Sequence, residues 1–125
     1  MCSSDLTEGP DGIELSAAHD GYRFLPGRPV HRRTFLARPG RVVVADEVSA
    51  GGLPAVARFH LHPAVEMIDR STARLPDRTV VTWSAGSAAI RVADGQWRPG
   101  FGRAVANRCL EVDLVDGRQA ITLEW

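Results

Sequence analysis

The chain has 125 residues, 44% of them hydrophobic and 24% charged, which is the composition of a folded globular domain and not of a disordered segment. That length supports one hydrophobic core, so a single domain is expected. Fifteen basic and fifteen acidic residues cancel, leaving neither a nucleic-acid footprint nor a polybasic membrane patch, and no apolar run approaches the roughly 20 residues of a membrane span.

The chain opens on "MCSSDL", which shares no periodicity with the residues after it. Read from its GTG triplet, the end of a common short-read sequencing adapter encodes the same six residues. Residues 1–6 are therefore expected to be adapter-derived and residues 7–125 to be the tail of a longer protein. On that expectation Cys2 is not biological, and the missing signal peptide says nothing about compartment. Cys2 and Cys109 alone make no disulfide framework.

From "TEGPDG" onward the repeating signal is period two, the spacing of a half-buried strand. It predicts strands over 13–19, 29–38, 41–49, 55–62, 65–70, 78–84, 87–93, 103–115 and 118–125. Pro39-Gly40 turns the chain between "VHRRTFL" and "RVVVADEV", and Asp46 shares parity with Val42, Val44 and Val48, which predicts a partly buried carboxylate. If "SAGGLP" closes a hairpin, Arg58 reaches Asp46 across the strands as a structural ion pair. "ADGQ" reads as a turn separating "AAIRV" from "WRPGF". In "CLEVDLV", Leu110, Val112 and Leu114 point inward while Cys109, Glu111 and Asp113 take the polar parity. Asp116-Gly117 is a hairpin signal, and beyond it Ile121, Leu123 and Trp125 point inward. No eleven-residue window holds a helical stripe. The expected fold is all-β, an antiparallel β-sandwich of about nine or ten strands.

Chemistry concentrates in "AVARFHLHPAVE". On a strand Arg58, His60 and His62 share one face and Phe59 and Leu61 the other, and two imidazoles on one face can chelate a metal. His60, His62 and Glu66 resemble the first motif of the cupins, small β-barrels that hold a metal with three histidines and a glutamate. The rest of that pattern departs: Gly52 is too far upstream, Ala73 stands where the closing glycine belongs, and no histidine follows His62.

A wider pattern, "AAHDGYRFLPGRPVHRRTF", "RVVVADEV", "RFHLHPAV" and "WRPGFGRAVANRCL" in that order, resembles the C-terminal region of the heparinase II/III-like polysaccharide lyases from about Gly12 to Trp125. The resemblance implies a C-terminal antiparallel β-sandwich preceded by an α/α toroid, with an acidic polysaccharide in the cleft between them. It implies cleavage by β-elimination, in which a base removes the C5 proton of a uronic acid and an acid protonates the leaving oxygen. The family's catalytic tyrosine and its asparagine or histidine belong to the toroid. Its zinc and catalytic histidines sit in a His-x-His-Ala-Asp-like segment and a later His-Ser-Thr or His-Asn-Thr element, all expected upstream of residue 7. The chain alone is thus expected to lack the catalytic residues, to hold no cofactor of its own and to be inactive. A periplasmic or secreted location follows from the same resemblance.

His19, Asp20, Gly21 and Tyr22 match the family's "HDGY", and the resemblance makes His19 and Tyr22 the candidate substrate contacts, against the plainer reading of a turn with Tyr22 covering the core edge. His31, Arg32 and Arg33 offer positive potential for carboxylates, since all fifteen basic residues are arginine and its fork binds carboxylates bidentately; the alternative is a solvated strand face. Trp83 and Trp125 fall on apolar faces, whereas Trp97, beside Pro99 and two glycines, is the candidate exposed platform. Three other classes compete: a cupin-like metal enzyme, a stand-alone carbohydrate-binding sandwich and a purely structural module.

Overall fold

The computed structural model describes residues 2–49, 54–86 and 88–125. Among them lie eleven strands and no helix: β1 (Cys2–Gly9), β2 (Gly12–His19), β3 (His31–Arg38), β4 (Arg41–Val48), β5 (Val56–His60), β6 (Glu66–Asp69), β7 (Thr72–Arg74), β8 (Val80–Ser84), β9 (Ile90–Trp97), β10 (Val105–Asp113) and β11 (Arg118–Glu124). They form two antiparallel sheets, one of eight strands in the order β1-β2-β3-β4-β11-β8-β7-β6 and one of three, β5-β10-β9. No helix among the described residues is long and apolar enough to cross a membrane.

The alternation read from the sequence is what builds the core. Leu110 and Val112 of β10 are fully buried against Ile121 of β11, Val44 of β4 and Trp83 of β8. Trp83 keeps its polar end satisfied, because its Nε1–H donates to the Arg70 carbonyl at 3.1 Å. At the Asp-Gly hairpin, Asp116 and Gly117 both have positive φ (52° and 75°), the type I′ geometry that matches strand twist. The turn expected over "SAGGLP" lies largely outside the described residues, as does Gly52.

Two strands escaped the periodicity. β7 spans three residues, too short to show a period, and β1 ("CSSDLTEG") has no apolar alternation because every one of its residues is exposed. Residues 2–6 pair with Leu15–His19 of β2 through the backbone.

Three expectations about side chains are corrected. "ADGQ" is not a turn: Asp94, Gly95 and Gln96 run inside β9, opposite Arg108, Asn107 and Ala106. Gly95 is there for room, since a Cβ on it would sit 2.7 Å from Asn107 Oδ1. Cys109 takes the polar parity yet is buried, its short side chain set between Asn107 and Glu111 along the strand and opposite Ala93 and His60. Burial, with Glu111 adding, pushes its thiol pKa up, so nothing activates it. Trp125 stands past the end of β11 and is 55% exposed, at the mouth of an end cavity lined by Leu61, Leu75 and Leu123, and is not part of the core.

Gly95→Ala is expected to lower stability by about 1–3 kcal/mol, the range for forcing a methyl into filled space. Gly100→Ala, which meets nothing within 4 Å, is expected to change it by less than about 0.5 kcal/mol. Chemical denaturation of both variants checks the contrast.

Candidate functional site

Strand register assembles a polar cluster where β2 leaves the larger sheet and β3 returns. His19 pairs with His31 and then Val48, while the next inward rung is Ala17, Arg33, Asp46 and Gln119. Asp46 is 3% exposed, as its parity with the valines predicted. Its carboxylate accepts four hydrogen bonds: from Arg33 Nε (2.7 Å) and Nη2 (2.9 Å), from His31 Nε2 (2.7 Å) and from Gln119 Nε2 (2.7 Å). Burial alone would raise the pKa of this carboxyl, but the hydrogen bonds from Arg33, His31 and Gln119 outweigh it and hold the group below the usual carboxylate range.

The cluster continues outward through two rings. His19 Nε2 lies 3.2 Å from His31 Nδ1, and the Gly21 N–H donates to His19 Nδ1 at 3.2 Å. A backbone amide can only donate, so His19 Nδ1 is an acceptor and its proton sits on Nε2. That proton faces His31 Nδ1, which places the His31 proton on Nε2, toward Asp46. The hydrogen-bond partners thereby fix both tautomers. One directional series runs from the Gly21 amide through His19 and His31 to the buried carboxylate.

This series pins the "HDGY" turn. Arg23 N–H donates to the Asp20 carbonyl and Leu25 N–H to the Tyr22 carbonyl, while Val30 and Ser49 exchange two hydrogen bonds where β3 begins. The Tyr22 ring lies 5.4 Å from the His19 ring, tilted, and is itself exposed. It stands beside a cavity of about 290 Å3 that Arg33, Asp46, Val56 and Arg58 also line.

The structure sets the rings of His19 and Tyr22 side by side, and both ring nitrogens of His19 are already engaged. Arg33 turns inward to Asp46, whereas Arg32 lies on the outer face and donates to Ser16 Oγ at 3.0 Å. The expected Asp46–Arg58 pair does not form. β4 has β3 and β11 as neighbours, and β5 crosses to the smaller sheet, where Arg58 Nε donates to Glu111 Oε2 at 2.8 Å. Gln119 was missed, although its parity with Ile121 and Leu123 already turned it inward.

His60, His62 and Glu66 are not brought together. β5 ends at His60, and the chain turns at Pro63, with the Val65 N–H donating to the His62 carbonyl. His62 Nδ1 accepts from the Ala64 N–H at 3.1 Å, and its ring leans on Trp97 with centroids 5.1 Å apart. Trp97 is exposed, as expected, with that imidazole against it. Glu66 begins β6 in the other sheet, facing Arg74 at 3.6 Å. Among the described residues no group of three His, Cys, Asp or Glu side chains is arranged to hold a metal.

Fold and site together define an antiparallel two-sheet sandwich whose one end is organised by a buried carboxylate and a histidine pair. Residues 2–124 match the family described as "Heparinase II/III-like, C-terminal", and the chain belongs to that family. Two solved structures of the heparinase III BT4657 gene product share the fold, at TM-scores of 0.72 and, for the form with methylated lysines, 0.64. Each is 12% identical, and the match covers 98% of this chain but 21% of theirs. No curated protein sequence matches.

Removing Asp46 would take the carboxylate from Arg33 and His31 and leave Gln119 Nε2 only the Val44 carbonyl, so Asp46→Ala is expected to cost about 3 kcal/mol. Combined with Arg33→Ala, the two losses should fall short of additive by roughly 1–3 kcal/mol, whereas Asp46→Ala with Arg58→Ala should add within about 0.5 kcal/mol. Denaturation of the two double-mutant cycles measures both numbers.

Proposed function

We propose that this chain is the C-terminal β-sandwich of a longer polysaccharide lyase that cleaves acidic, uronic-acid-containing polysaccharides by β-elimination, and that the chain alone does not cleave. The observation that carries this reading is the family match over residues 2–124, and the small share that the chain takes of the heparinase III chains sharing its fold supports it. The acid and base of the elimination are assigned to the missing toroid, with the zinc on residues upstream. The described residues do not fit a metal site, and both nitrogens of His19 and of His31 are spent within the network.

The sandwich then forms one wall of the polysaccharide cleft. Tyr22, exposed beside the cavity, touches the sugar through its ring face and hydroxyl. His19 acts through it, as a positioning residue that holds the turn. Residues 1–6 are read as adapter-derived. A periplasmic or secreted location belongs to the same reading.

The 125-residue chain, mixed with uronic-acid polysaccharides, is expected to produce no unsaturated uronate detectable by ultraviolet absorbance; turnover by it alone would overturn the assignment. In the complete enzyme, Tyr22→Ala should raise KM about 5- to 10-fold with kcat within about twofold, the pattern of lost uniform binding. An unchanged KM would remove Tyr22 from the substrate site.

A further inference from the structure

The hairpin that joins β9 to β10 ends in an aromatic and cationic loop with no part in the core or in the Asp46 network. Trp97 closes β9 and pairs with Val105, the first residue of β10. Trp97 is 41% exposed, and Phe101 in the loop between them is fully exposed. The Arg103 N–H donates to the Gly100 carbonyl at 3.2 Å, and Gly102 takes a positive φ of 73°, so a tight turn holds Phe101 out in solvent. Large apolar side chains gathered on one surface loop mark a place where something binds.

The surroundings of the indole set the chemistry of what fits. The His62 ring stands 5.1 Å from the Trp97 ring, tilted by 49°. Its Nδ1 accepts from the Ala64 N–H at 3.1 Å, and a backbone amide can only donate, so the ring's hydrogen sits on Nε2. That N–H has no partner among the described residues, which leaves a fixed donor beside the indole. Residues 95–107 contain two arginines, Arg98 and Arg103, and no aspartate or glutamate. Arg98 Nη2 donates to Gln96 Oε1 at 3.1 Å, while the Arg103 side chain has no hydrogen bond or ion pair among the described residues. The preceding acid on β9, Asp94, already faces Arg108 at 3.2 Å. In a chain whose charges cancel, this loop carries positive charge with no acid of its own to answer it.

We infer that this loop is a second, non-catalytic binding site for a uronic-acid polysaccharide. The apolar C–H face of a pyranose ring lies on Trp97, with Phe101 flanking it. The sugar carboxylate meets the guanidinium forks of Arg98 and Arg103, and a ring hydroxyl accepts from His62 Nε2. A neutral glycan or an apolar protein surface would leave both guanidiniums unmatched. The choice of polymer rests on the proposed function, whereas the site's position does not. Tyr22 and its cavity lie with Val56 and Leu114 at one end of the smaller sheet, and Trp97 lies at the other, beyond His60. The length of β10, from Val105 to Asp113, puts about 27 Å between the two at about 3.4 Å per residue. Only a long chain reaches both, so the loop holds polymer near the cleft and takes no part in the elimination.

The test is affinity electrophoresis of the complete polypeptide encoded with the sequence upstream of Thr7, in gels holding alginate, heparan sulfate or neutral dextran, with lyase activity assayed on the same sample. At least one uronic-acid polymer, and not dextran, is expected to retard the protein. Trp97→Ala and Arg103→Glu should each weaken the apparent affinity for that polymer about 5- to 10-fold. Arg103 is exposed and unpartnered, so its variant keeps the test open if Trp97→Ala fails to fold. Trp97→Tyr, which keeps a flat ring, and Arg70→Glu, the same charge change on the exposed turn after β6, should stay within about twofold. On a tetrasaccharide, too short to reach both sites, kcat/KM should stay within about twofold in every variant. No retardation, equal retardation in dextran, or retardation that Trp97→Ala and Arg103→Glu leave unchanged would overturn the inference, even if the enzyme is active. A loss on the tetrasaccharide would place Trp97 in the cleft and overturn it too. Retardation that both variants weaken, in a polypeptide without lyase activity, would uphold the site and reject the proposed function.

Discussion

A buried carboxylate sets the terms for one end of this sandwich. Asp46 lies among valines on the inward face of β4, where an unpaired charge would be severely penalised. It is tolerated because Arg33 of β3 and Gln119 of β11 grip it from the strands on either side, and His31 closes the remaining direction. Its partners come from the two strands that flank β4, so the same bonds that neutralise the charge fix how β3, β4 and β11 sit at this end. Through His31 the constraint passes to His19 and so to the turn after β2. The exposed Tyr22 is thus positioned by a buried group that it does not touch.

The rest of the molecule divides between a finished core and an unfinished flank. Over β4, β11 and β8 the smaller sheet closes a buried centre of Leu110, Val112, Ile121 and Trp83. Toward β1 the larger sheet runs on with its apolar face still turned inward but uncovered. The polar network lies where these regions meet, beside the cavity that holds Tyr22 at its rim.

Much of this was legible in the sequence. Period two gave nine of the eleven strands, the two glycine turns and the burial of Asp46, because each depends on local alternation or local backbone geometry. The family was legible in the order of "HDGY", "VHRR" and "RFHLHP". What failed depended on which strands become neighbours. Arg58 was matched with Asp46 on the assumption of a hairpin, whereas β5 changes sheets. His60 and His62 were given one face on the assumption that the strand runs to residue 62. Gly95 read as a turn because glycine usually marks one, but here it makes room for Asn107 from the facing strand. Trp125 kept the right parity and lost its burial because it stands past the end of β11, where none of the described residues covers it.

The central claim is that the site is a directional series of hydrogen bonds anchored on Asp46, and the position of two protons decides it. Long-range nitrogen–proton correlation spectra of the histidine side chains report which ring nitrogen carries hydrogen. The account predicts the proton on Nε2 in both His19 and His31. A proton on Nδ1 of His19 would break its bond from the Gly21 amide, and one on Nδ1 of His31 would face the His19 proton; either result would contradict the series.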